Sequence, residues 1–215
     1  MAKSRYFIIL LLGACLSSCN HFSGNSDSTL TELQVGDTVK FVKYETRYET
    51  IYTEVCGQDQ SSYKAQSYID TLKAYLGTRE ATGNNDGIIV ERFTREACKM
   101  GQVAWCAAFV AYGLQVNGTK IPDCACWSPC MVPESKVVWR KGNKHKLKKG
   151  HIFGLYFKSK GRVAHVGAVI EDYGDGWVQT IEGNTNDAGA REGNGVFIRL
   201  RHRSQLYVAA NWIPE

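Results

Sequence analysis

From Ala65 onward the hydrophobic period of this chain changes once, at Pro122, and that change limits the fold more than any other feature. Over 35–56 the spacing fits a strand at its start and a helix at its end and leaves the type open. Between Ala65 and Pro122, apolar residues recur at helical spacing. Ala65, Tyr68, Ile69, Leu72 and Leu76 keep one face of a helix, with Gly77 placed to end it. The turn Asn84-Asn85-Asp86-Gly87, with Asp86 as N-cap, leads into a second helix through Val90, Phe93 and Ala97. A third runs from about Cys106 to Gln115, with Cys106, Phe109, Val110, Gly113 and Leu114 on one stripe. After Pro122 the texture predicts strands over 152–157, 163–170, 177–181, 196–201 and 207–212, separated by Gly, Asp and Asn turns. Helices first and antiparallel strands afterwards make an α+β fold of about five strands, not an alternating one. At 44% hydrophobic over 215 residues there is ample material for one core, which excludes disorder over most of the length.

The first residues carry an address. A basic start, Met1-Ala-Lys-Ser-Arg5, precedes an apolar run from Tyr6 to Ala14 and then Cys15-Leu-Ser-Ser-Cys19. This is the pattern of a secretory signal, too short to span a bilayer comfortably. Leu12-Gly-Ala-Cys15 and Leu16-Ser-Ser-Cys19 both resemble the bacterial lipobox, whose cysteine becomes the lipidated first residue. Cys19 is favoured over Cys15, because it leaves a longer apolar region and a polar run follows it. The expected organisation is a signal peptide over 1–18, a tether and N-terminal extension over 19–61, and a folded domain over 62–215. Multiple acyl chains would hold the protein at a membrane, facing the periplasm or the cell surface.

Net charge is +5, but its source is local: Lys136, Arg140, Lys141, Lys144, Lys146, Lys148 and Lys149 face no acid between residues 136 and 149. The run reads as a solvated loop or as an attraction for an anionic surface polymer. Nucleic acid is not an expected partner, since Trp139 is the one aromatic interleaved with these charges.

Chemistry concentrates at Ala104-Trp105-Cys106-Ala-Ala-Phe-Val110. A cysteine opening an apolar helix meets unpaired backbone N–H groups and the positive end of the helix dipole, both of which stabilise a thiolate. The competing reading is a small core hydrophobe sharing a face with Phe109 and Val110. A thiol nucleophile needs a base. Among five histidines, His165 lies within Val163-Ala-His-Val-Gly-Ala-Val169, where alternation puts His165, Gly167 and Val169 on one face. Gly167 leaves room there for the approach of a helix end. His151, opening the preceding strand, is the second choice. On the next strand Glu182 and Asn184 alternate onto one face, and either suits orienting the imidazole.

Four segments in order carry a family resemblance: Leu76-Gly-Thr-Arg-Glu80-Ala-Thr-Gly-Asn84-Asn85, Trp105-Cys106-Ala-Ala-Phe109-Val110, Ala164-His165-Val-Gly167 and Ile181-Glu182-Gly-Asn184. Together they resemble the CHAP domain (cysteine, histidine-dependent amidohydrolase/peptidase), one of the papain-like peptidoglycan hydrolases. The resemblance covers about residues 62–215. It implies a papain-like arrangement and cleavage of amide bonds in peptidoglycan peptides by a monomer that needs no cofactor or metal. It implies Cys106 as nucleophile, His165 as base and Glu182 as third member, with Asn184, Trp105, Glu80 and Asn85 bordering or supporting the site. A non-catalytic domain that binds wall peptides, or an acyltransferase using the same residues, are the alternatives.

The chain also departs from that pattern. Gly150-His151 stands where such domains commonly have Gly-Asp. Cys124-Ala-Cys126-Trp-Ser-Pro-Cys130 is a thiol cluster that related sequences usually lack. With Cys56 and Cys98, these thiols predict one or two disulfides of undetermined pairing among Cys98, Cys124, Cys126 and Cys130. A structural zinc on the clustered thiols with His145 or His151 is the less favoured use, because C-x-C-x₃-C lacks the usual paired spacing.

Overall fold

The structure, a computed structural model, describes residues 60–186 and 193–213. The lipobox cysteines Cys15 and Cys19, the tether and the extension through Cys56 lie outside the described residues. Among the described residues three α-helices come first: α1 Gln60–Lys73, α2 Ile88–Cys98 and α3 Cys106–Val116. Six strands follow: β1 Val137–Arg140, β2 Ile152–Phe157, β3 Arg162–Asp172, β4 Trp177–Thr185, β5 Gly195–His202 and β6 Val208–Ala210. They form one antiparallel sheet in the order β1-β6-β2-β3-β4-β5. The fold is α+β, with helices before an antiparallel sheet.

Several helix ends differ from the expectation. α1 stops at Lys73, so Leu76 lies beyond it and is exposed. Asp86 does not cap α2. Its carboxylate turns back to accept hydrogen bonds from the N–H and the hydroxyl of Thr82, at 2.9 and 2.7 Å. Gly87 takes the N-cap position instead, without a side-chain bond. α3 is buried continuously from Cys106 to Leu114 because it lies among α1, α2, β3 and β4. A helix apolar all round is what such a central position requires.

Strand β1 was not expected, since it lies inside the basic run. Its register is set by pairing with β6 and by Trp139, which is buried on the far side of the sheet from the helices. That far side has a core of its own, in which Phe153, Val169, Val178 and Leu206 meet Trp139 and Leu147. The helix side packs Val166, Ala168, Ile170 and Ile181 with Phe109, Val110 and other helix residues. The sheet is therefore buried on both faces.

The two thiol questions have one structural answer. Cys98 at the end of α2 is bonded to Cys126, and Cys124 is bonded to Cys130. Cys106 is the free cysteine among the described residues. The described residues contain no cluster of three or more His, Cys, Asp or Glu suited to a metal.

Candidate active site

Cys106 is the first residue of α3. Trp105 is its N-cap and makes no side-chain capping bond, so first-turn N–H groups stay available to an anion. The thiol is 5% exposed. It opens on a cleft of about 400 Å³ whose walls include Met100, Cys126, Trp127, Ser128, Arg162 and Ala164.

His165 comes from β3 beside an irregularity. Leu155 of β2 pairs with His165 and Tyr156 with Val163, which leaves Ala164 as an extra residue in β3. Such a bulge re-aims the side chains next to it. Nε2 of His165 lies 2.8 Å from Oε2 of Glu182. The paired register of β3 and β4 starts at Ala168 and Ile181, so this side-chain bond links the strands just beyond their ladder. Gly167 makes room for it: a Cβ there would stand 2.7 Å from Cγ of Glu182. The glycine that was expected to admit a helix end admits the carboxylate.

Glu182 is held from two further directions. Thr180 donates its hydroxyl to Oε1 at 2.7 Å, and the Arg201 guanidinium donates to both carboxylate oxygens, at 2.5 Å each. Burial raises the affinity of this carboxyl for a proton. Hydrogen bonds from Arg201 and His165, and their charges, outweigh it and bring the carboxyl down to about 2. Glu182 is thus an anion throughout the working range.

The remaining ring nitrogen, Nδ1 of His165, is buried and has no conventional hydrogen-bond partner among the described residues. Besides Glu182, the electrostatic partner of the ring is the Cys106 thiol. Burial lowers the imidazole's affinity for a proton, but interactions with Cys106 and Glu182 raise it to about 9. For Cys106, burial pushes the thiol up, while His165, the Ser128 hydroxyl and the Val166 backbone pull it down to about 7. The thiol therefore ionises before the imidazolium gives up its proton. Between those values the pair is thiolate and imidazolium, a nucleophile beside an acid.

The residues expected to border or support the site, Glu80, Asn85 and Asn184, gather around Trp105. The indole Nε1 donates to Oε1 of Glu80 at 2.7 Å, and the backbone N–H of Asn85 donates to Oε2 at 3.0 Å. The side-chain amides of Asn184 and Asn85 are hydrogen-bonded at 2.7 Å, and the Asn184 amide is satisfied best with its oxygen as acceptor, 2.9 Å from the Trp105 indole N–H. Glu80, Asn85, Asn184 and Asn194 border a polar pocket of about 390 Å³. Asn184 does not share the face of Glu182, because its backbone is left-handed (φ 53) and the β4–β5 register shifts between Glu182 and Thr185. Alternation fails there. Gly183, between them, faces α3, where a Cβ would stand 2.7 Å from the Trp105 ring.

His151 is not brought to the thiol. Its Nδ1 accepts from the Lys148 N–H at 3.2 Å, and burial with the nearby Lys148 charge holds the ring down to about 4. Three residues around the site had not been singled out. Thr180 and Arg201 hold Glu182, and the Ser128 hydroxyl lies 3.6 Å from Sγ of Cys106. Strand alternation from Glu182 back to Thr180 was a usable signal for the first. Nothing in the sequence marked the other two.

The chain is similar to a solved structure, that of an NlpC/P60 family protein from Bacillus cereus ATCC 10987, at 19% sequence identity and a TM-score of 0.40. That match covers 70% of this chain and 40% of the other, so the chain spans less than half the length of the protein it resembles. No protein-family model and no curated protein matches the sequence.

Proposed function

We propose that the chain is a thiol amidohydrolase of the CHAP type that cleaves amide bonds in the peptides of peptidoglycan. The observation that carries this reading is the buried relay from the Cys106 thiol through His165 to Glu182, with the thiol ionising below the imidazolium. A core cysteine needs neither an ionised partner nor an opening onto a cleft, and Cys106 has both.

In the first step the Sγ electron pair of Cys106 attacks the amide carbonyl carbon. A C–S bond forms and the carbonyl π pair moves to oxygen, where the first-turn N–H groups of α3 face the charge. The pair returns, the C–N bond breaks and the imidazolium of His165 gives its proton to the leaving amine. Water, deprotonated by the neutral imidazole, then releases the acyl group as a carboxylate. Glu182 keeps the ring oriented and supports its cationic form. The choice of peptidoglycan rests on the four CHAP-like segments. A lipobox at Leu16-Ser-Ser-Cys19 agrees with an exported, membrane-anchored wall enzyme.

Digestion of purified peptidoglycan, with new termini identified by mass spectrometry, tests the reading. A free lactyl carboxylate on muramic acid makes the enzyme an amidase, and new peptide ends make it an endopeptidase. Product conjugated to an added primary amine would instead indicate acyl transfer. An unchanged digest with folded protein contradicts the proposal.

A further inference from the structure

The hydroxyl of Ser128 has no place in the relay described above, yet beside His165 it is the other polar side chain acting on the Cys106 sulfur. Oγ lies 3.6 Å from Sγ of Cys106, and Ser128 is 5% exposed. Among the described residues, this is the one side-chain hydrogen bond recorded for that hydroxyl. A thiolate can only accept, so with Cys106 ionised the hydroxyl is the donor.

The chain around Ser128 is fastened more firmly than a surface loop requires. Ser128 opens the 3₁₀ turn Ser128–Met131. The Cys124–Cys130 disulfide closes a short loop around it, and the Cys98–Cys126 disulfide ties the same segment to the end of α2. Behind it, Met131 is fully buried and its carbonyl accepts from Nε1 of Trp212 at 2.8 Å. Cys98, Cys124, Cys126 and Ser128 border the same cleft as Cys106. Both disulfides therefore converge on the segment that sets the distance from Oγ to Sγ. A hydroxyl worth holding so closely acts on the sulfur or on whatever is bound to it.

We propose that Ser128 is a fourth catalytic residue, donating to the Cys106 thiolate in the free enzyme and to the oxyanion during acyl transfer. The proton stays on Ser128 throughout. When the C–S bond forms, the sulfur gives up the electron pair that accepted the hydroxyl, and the negative charge moves to the former carbonyl oxygen bonded to the same carbon. Rotation about the Cβ–Oγ bond redirects the donor, and collapse of the intermediate returns it to sulfur. The oxyanion half rests on the amidohydrolase reading. The thiolate half does not.

The test uses Ser128→Ala and Ser128→Thr in the full chain, each checked for a wild-type melting transition. The rate at which iodoacetamide alkylates Cys106, followed by peptide mapping against pH, reads the thiolate without any substrate. In Ser128→Ala the alkylation midpoint should rise by roughly one unit, and Ser128→Thr should restore it. On peptidoglycan, kcat of Ser128→Ala should fall about 10- to 100-fold with KM unchanged, somewhat less than the loss of a fixed oxyanion donor elsewhere. An unchanged midpoint in folded Ser128→Ala overturns the proposal, because a merely structural serine would change the melting temperature and leave the thiol alone. A shifted midpoint with unchanged kcat overturns the oxyanion half. A shifted midpoint in a protein whose wild type cuts no wall substrate overturns the hydrolase reading and upholds the thiolate half.

Discussion

Nε2 of His165 and Oε2 of Glu182 are 2.8 Å apart, and both side chains are fully buried. Asn184, two residues further along β4, bonds to Asn85 instead. If the carboxylate orients and supports the ring, Glu182→Gln lowers kcat by at least ~10², by analogy with loss of the aspartate in a Ser-His-Asp triad. Asn184→Ala costs clearly less. Steady-state kinetics of both variants on one wall substrate decides it, and the reverse ranking would reassign the third member.

Glu182 also answers the charge of Arg201, whose guanidinium is itself buried. Removing one partner of a buried ion pair strands the other, at a cost of about 3–5 kcal/mol. Glu182→Gln should therefore melt earlier as well as turn over more slowly. The double variant Glu182→Gln with Arg201→Met separates the two effects. It should regain much of the melting temperature and none of the activity.

The same group sets an acid limit on stability. Its folded value of about 2 lies below the ordinary 4.5, so its contribution is complete above about 4.5 and fades as pH falls toward about 2. A denaturant midpoint measured across that window should drop for the wild type and stay flatter for the double variant.

In the proposed reaction the pH dependence of activity follows from the thiol and the imidazole. Below about 7 the thiol holds its proton and cannot attack; above about 9 the imidazole has lost the proton that the leaving amine needs. A profile of kcat/KM should be bell-shaped, with a plateau between those apparent values. They belong to the coupled pair and not to either residue alone. A single rising limb continuing past pH 10 would contradict the imidazolium's role.

How much of this was legible in the sequence depended on whether neighbours along the chain were also neighbours in space. Helix α3 and strands β2 to β5 follow local periodicity, and Cys106 and His165 stood out within them. β1 was hidden because Val137, Val138 and Trp139 are embedded in a basic run whose charges masked the alternation. Asp86 was misread because a carboxylate near a helix start can satisfy itself backward, as it does with Thr82. Alternation alone could not choose between Glu182 and Asn184, since one left-handed residue ends it. Arg201 stands in the charged run Arg201-His202-Arg203, and Ser128 is 22 residues from the sulfur it touches. Both placements come from tertiary packing and leave no local trace.

The disulfides give a prediction of their own. Alkylation of the denatured, unreduced chain should label Cys106, and Cys98, Cys124, Cys126 and Cys130 should react only after reduction. Replacing Cys98 and Cys126 by alanine should cost about 2–4 kcal/mol in denaturant unfolding. It should also lower kcat, because the Ser128 segment loses its tie to α2.

Whether the Cys106 sulfur is the nucleophile is decided by the turnover of Cys106→Ala on purified peptidoglycan. The expected outcome is a protein with a cooperative melting transition like the wild type's and no new termini above background, because a methyl group cannot attack a carbonyl. Wild-type turnover in well-folded Cys106→Ala protein would contradict it.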